Sequence, residues 1–264
     1  MKNKGLIIIL IILLFIIIIG LIGFLVLGIN GRLILPNGVM NLGTRTGEIV
    51  LDENFDLETI KEIEILSEAG DITFEKSTDS SIRVIAYGKN ESDVKVNLYE
   101  NKLKVDYIGQ ARSWMNFGFY KNDIIVYIPE NYSENLNIKN EYGNCKISDL
   151  ENASISIDSD CGNIELGKVR DIIVDCDYGN VKIDTILNKC KIKSDCGNIE
   201  IKKIQIQENS EIKSDYGNIE IKEINDIYVD ADVDLGEAKI NGNNRQSDIT
   251  LKINADCGNV NIGG

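Results

Sequence analysis

The sequence predicts an all-β protein, a right-handed β-solenoid preceded by one N-terminal transmembrane helix. Three observations carry this. Seven glycine-centred segments (NEYGNCKI, SDCGNIEL, CDYGNVKI, SDCGNIEI, SDYGNIEI, VDLGEAKI and ADCGNVNI) recur at spacings of 19, 17, 18, 20, 19 and 22 residues. Within each, β-branched residues alternate with polar ones, the period of a strand with one buried face. The chain also opens on a long uncharged apolar run.

That run extends from Gly5 to Ile29. Its 25 residues make a helix of roughly 37 Å, more than the ~30 Å hydrocarbon core of a bilayer. A cleaved signal peptide has a shorter apolar region and a small-residue cleavage site, whereas the first alanine here is Ala69. Residues 5–29 therefore read as a membrane anchor. Lys2 and Lys4 keep residues 1–4 as a cytoplasmic stub under the positive-inside rule, so everything beyond Asn30 lies on the far side at the cell membrane. Residues 30–45 read as a linker.

Residues 46–130 alternate in the same way, as in KEIEILSEAGDITFEK and NDIIVYIPE. They form an N-terminal β part that begins the sheet and caps one end. Residues 131–264 supply the solenoid rungs. Five residues before each glycine stand Ile138, Ile157, Val174, Ile192, Ile212, Ala231 and Ile253, and four after it Ile147, Leu166, Ile183, Ile201, Ile221, Ile240 and Ile262. Units of this length cannot bury their apolar faces alone and must stack. Glycine followed by asparagine marks the bend, because both tolerate positive φ. The asparagine column then hydrogen-bonds along the stack.

Composition narrows the chemistry. The formal net charge is −14, and setting aside Lys2 and Lys4 leaves 26 basic against 42 acidic residues, or −16, outside the membrane. Such a surface repels nucleic acid and anionic lipid. There is no histidine, which removes the commonest general base and zinc ligand. The six cysteines fall in repeat phases that apolar or small residues fill elsewhere. In particular Cys161, Cys196 and Cys257 stand where other rungs carry Tyr142, Tyr178, Tyr216 and Leu235, and all read as core filling.

An early IEILSEAGDITFE segment, the strand IIVYIPENYSENLNIKNEYGN and the serial GNIEI rungs together resemble the bacterial putative-adhesin family, a β-helix-like domain family of unknown function. The resemblance covers roughly residues 55–264. It implies a cell-envelope location and a binding or scaffolding role, and supplies no catalytic residues.

Two groups of residues are candidates for function. The first is the aromatic stretch YIGQARSWMNFGFYKN, in which Trp114, Phe117, Phe119 and Tyr120 suit a contact surface. The second is the aspartate two before each glycine from Gly162 onward: Asp160, Asp177, Asp195, Asp215, Asp234 and Asp256. These accept hydrogen bonds in Asx-turns or, alternatively, line up as a ladder for calcium.

The chain thus reads as a membrane-anchored, non-enzymatic binding or scaffold protein of the envelope. A calcium-stabilised spacer and a polysaccharide-active enzyme are its rivals. Its expected partners are its own membrane, an envelope protein or glycan, and a second copy stacking on an open C-terminal rung.

Overall fold

The computed structural model describes residues 32–35, 38–41, 45–108 and 120–263, with side chains over 47–108 and 122–263. The anchor at 5–29 lies outside these residues. Among the described residues no helix is long and apolar enough to cross a membrane.

The chain divides into two units. In the smaller one, the stretch read as a linker holds a hairpin, Arg32–Leu35 against Gly38–Asn41. Tyr120–Lys121 also pairs in parallel with Arg45–Thr46. The larger unit, Gly47–Arg112 with Asn122–Gly264, is built on one nineteen-stranded sheet. The all-β, solenoid-like fold is therefore as the repeats predict.

Each rung places a strand before its glycine and another after it, and equivalent strands of successive rungs pair in parallel and in register. Ile157 lies beside Val174, which lies beside Ile192 and then Ile212. On the second stack Ile164, Val181, Ile199 and Ile219 run together. A third apolar line, Leu150, Val169, Ile186, Ile204 and Ile224, follows them. The three lines converge on a single core. Ile157, Ile192, Ile199, Ile201 and Ile204 are all buried, and truncating such an isoleucine to alanine costs about 2–5 kcal/mol.

The N-terminal β part belongs to the same sheet. Glu62–Ser67 and Ile72–Ser77 flank Gly70 and pair in parallel with the Gly143 rung. Outside them lie Lys102–Tyr107 and Ile124–Pro129. Antiparallel strands finish this end: Val94–Tyr99 on the first of these, Ser81–Gly88 on the second, and Glu48–Asp56 beyond. The hairpin into Lys102–Tyr107 turns on Glu100 and Asn101, both at positive φ, the backbone that a two-residue turn needs to match the strand twist.

At the other end the spatial order departs from the chain order. Ser210–Tyr216 pairs with Thr250–Cys257, which in turn pairs with Tyr228–Leu235. Ile219–Ile224 likewise pairs with Val260–Ile262, and that strand with Ala238–Ile240. The last rung in the chain fills a slot inside the stack, and the Gly236 rung is the outermost. The expectation of an open C-terminal rung is thereby corrected.

Side-chain size accounts for the exchange. Leu251, Ile253 and Val260 fill the covered rung and are buried, where the Gly236 rung offers the smaller Val229, Ala231 and Ala238 at the same phases. The rung with the better core takes the position covered on both sides. The outermost strand carries Asp230, Asp232 and Asp234 along one side, and inward or outward charges of this kind blunt a sheet edge against pairing with a second copy.

Candidate functional site

The solenoid turns a corner at each glycine. Gly179 has φ +156° and Gly197 φ +152°, and a Cβ on either would collide with the carbonyl oxygen of the neighbouring rung's glycine. Only glycine allows rungs to approach this closely at such a φ. The residue after it ties the rungs together. The backbone N–H of Asn163 donates to Asn144 Oδ1, Asn180 to Asn163, Asn198 to Asn180 and Asn218 to Asn198, each at 2.9–3.0 Å. Asn259 then donates to Asn218, and Glu237 to Asn259. At the far end the column rests on carboxylates, Asn144 N–H donating to Asp71 and Asp71 N–H to Asp123. The asparagine column is a continuous ladder, as its phase suggests.

The residue before the glycine faces outward, contrary to the core position that strict alternation predicts. Tyr142, Tyr178, Tyr216 and Leu235 are 58%, 61%, 63% and 69% exposed, and Cys161, Cys196 and Cys257 are half-buried. The strand pairing lapses at the carboxylate two before the glycine, since Ser159 pairs with Cys176 and Cys161 with Tyr178 but Asp160 and Asp177 do not pair, so the regular alternation stops there and the next residue turns outward. These three cysteines are therefore partly exposed at the corner. The other three behave as the phase argument expects: burial pushes the Cys145 and Cys190 thiols up to about 12 and Cys176 to about 11, so they stay protonated and inert.

Because the Gly258 rung sits inside the Gly236 rung, the corner column has a simple spatial order. Tyr142 lies beside Cys161, then come Tyr178, Cys196, Tyr216, Cys257 and Leu235. Tyrosine and cysteine alternate without a break until the leucine at the outer end. Read along the chain, the same column ends Tyr216, Leu235, Cys257, and the pattern is hidden.

One residue further back runs the carboxylate row. Asp160, Asp177, Asp195 and Asp215 are half-buried and Asp256 and Asp234 exposed. Lysines on the same face neutralise part of it: Lys193 lies 2.8 Å from Asp195 and 3.4 Å from Asp175, and Lys213 lies 2.7 Å from Asp215. Lys139 reaches Asp158 at 3.3 Å. Partial burial and then the Asp195, Asp160 and Asp175 carboxylates hold Asp177 above the ordinary carboxylate range. Among the described residues no three potential ligands are placed to share one metal ion. Of the aromatic candidates, Trp114, Phe117 and Phe119 lie outside the described residues, and Tyr120 is described only as a strand residue.

The corner thus offers flat apolar rings beside carboxylates and carboxamides, suited to stacking and hydrogen bonding along a line. Sequence reasoning placed this column, Tyr142, Tyr178 and Tyr216 included, in the core, and the exchanged order of the last two rungs hid the unbroken alternation with cysteine.

A family model described as Toastrack DUF4097 matches residues 60–263. A search of curated proteins finds no match. Among solved structures, the chain resembles a putative adhesin from Bacteroides fragilis, with 14% identity, TM-score 0.46, and 83% of this chain and 99% of that one covered. It also resembles a putative cell adhesion protein from Clostridium sporogenes (12%, TM-score 0.37, 81% and 99%). A third is a putative lipid binding protein from Parabacteroides distasonis (14%, TM-score 0.43, 80% and 96%). With the family model spanning the Gly70 rung through the Gly258 rung, the chain belongs to the Toastrack DUF4097 family.

Proposed function

We propose that this chain is a membrane-anchored, extracytoplasmic binding protein of the bacterial envelope, acting by recognition without catalysis. The observation that carries the reading is the corner column, where Tyr142, Tyr178 and Tyr216 stand exposed on one line of a rigid stack. Aromatic side chains held out by a fixed scaffold bind at low entropic cost, since the scaffold has already ordered them. The apolar run Gly5–Ile29 supports the anchor, and Lys2 and Lys4 support its orientation. An acidic surface suits a neutral or cationic partner better than a polyanion.

The test is affinity capture from detergent-solubilised envelope with the full-length chain as bait. The expected result is retention of a discrete envelope component above a bait-free control. Absence of any such component, or turnover of the captured material, overturns the reading.

A further inference from the structure

We propose that the tyrosine–cysteine corner binds an extended, uncharged β-1,4-linked glycan, laid along the solenoid axis at one disaccharide per two rungs. The inference rests on the binding role proposed above and names the ligand class.

Its first support is periodicity. Tyr142, Tyr178 and Tyr216 are separated by single rungs carrying Cys161 and Cys196. With strands about 4.8 Å apart, the tyrosines repeat every ~9.6 Å. An extended β-1,4-linked glycan advances one disaccharide over nearly this distance. Successive sugars in such a chain are turned over, so the same sugar face returns to a surface once per disaccharide. A large flat residue on every second rung, with a small one between, has the same period of two. The small cysteine leaves room for the ring substituents of the intervening sugar.

Chemistry is the second support. The face of a tyrosine ring is electron-rich, and the axial C–H groups of a pyranose are its electropositive complement. The three tyrosines are more than half exposed, so a ligand laid along the corner reaches their rings. Sugar hydroxyls meet acceptors in the adjoining row at Asp160 and Asp177. The ion pairs of Lys193 with Asp195 and Lys213 with Asp215 reduce the pull of that row on a polycation. The strongly acidic chain disfavours a polyanion. An uncharged polymer of repeating flat units satisfies both conditions.

The experiment is calorimetric titration of the full-length chain in detergent micelles with chitobiose, chitohexaose, cellohexaose, maltohexaose and oligolysine. Chitohexaose or cellohexaose is expected to bind, and chitobiose about tenfold more weakly, because more tyrosines engage the longer chain. Maltohexaose, whose α-1,4 linkage coils the chain, is expected to give no binding. Tyr178→Ala, at the centre of the column, is expected to weaken the hexasaccharide about tenfold. Tyr178→Phe retains the ring and the affinity, and Lys222→Ala on the other strand stack changes nothing. All three variants are at exposed side chains, and a single cooperative melt in each confirms folding. Absence of binding by both β-1,4 hexasaccharides, equal affinity for di- and hexasaccharide, full affinity in Tyr178→Ala, or binding of oligolysine in their place overturns the proposal. If wild type and Tyr178→Ala capture the same envelope component equally, the glycan assignment fails while the binding role stands.

Discussion

Tyr216 lies beside Cys257, and not beside Leu235, the equivalent residue of the next repeat along the chain. Among the described residues, the strand Tyr228–Leu235 therefore has its one in-stack neighbour in a segment made after it. Ending the chain at Asn241 is expected to strip backbone hydrogen-exchange protection from residues 228–240 as well as removing the last rung. Protection of 199–204 should be unaffected, because its neighbours remain. Retained protection at 228–235 would refute the rung order.

Gly197→Ala is expected to destabilise the protein by about 3 kcal/mol, combining an unfavourable φ with a Cβ driven into the Gly179 carbonyl. Urea titration followed by circular dichroism measures this. Gly242→Ala, where the nearest atom to the added Cβ is Ile224 Cγ1 at 4.0 Å, isolates the strain of positive φ alone and should cost about 1 kcal/mol.

Removing one link of the asparagine ladder should be milder. Asn180→Ala leaves the Asn198 N–H without its 3.0 Å acceptor at a solvent-exposed corner, where water replaces it. The expected loss is about 1 kcal/mol, read from the same titration.

Acid should destabilise the fold. Hydrogen bonds from Arg83 hold the Asp52 carboxyl below its ordinary value of 3.8, and hydrogen bonds from Lys202 and Lys222 do the same for Asp184 and Glu200. For a depressed pKa the unfolded state takes up protons first, so the stabilisation is present above the ordinary carboxylate range and is lost as pH falls through the folded values. Asp177, raised, contributes with the opposite sign: its term is present at low pH and is lost as pH rises through its folded value. Asp171 and Glu208 are depressed as well, so five depressed carboxylates against one raised predict a lower melting midpoint at about pH 3 than at about pH 6. Asp52→Asn should flatten that slope.

Thiol chemistry separates corner from core. A disulfide-exchange reagent should modify Cys161, Cys196 and Cys257 in the native protein, and Cys145, Cys176 and Cys190 only after denaturation. Oxidation should form no cross-link within the corner column, because its cysteines are two rungs, about 9.6 Å, apart and a disulfide spans less than ~7 Å between Cα atoms. Mass spectrometry after timed labelling reads both outcomes.

Much of this was legible in the sequence. The glycine phase located each bend, and the residues five before and four after it, Ile157 and Leu166 or Ile192 and Ile201, are buried where alternation placed them. The asparagine column proved to be a hydrogen-bonded ladder because identical residues in register must meet. Local periodicity suffices for such features, since each follows from one repeat and its copy. Two features were beyond its reach. Alternation assigned Tyr178 and Cys196 to the core, but the ladder is interrupted at the aspartate before each of them, Asp177 and Asp195, and the strand geometry that alternation assumes stops there. Chain order placed the Gly258 rung at the open end, but the position covered on both sides went to Leu251, Ile253 and Ile262 rather than to the weaker core of the Gly236 rung. The sequence by itself determined the rung, its corner and its buried columns. Only the tertiary structure decided the order of the rungs, because that depends on the apolar surface that distant segments bury together. With that order came the unbroken tyrosine–cysteine line.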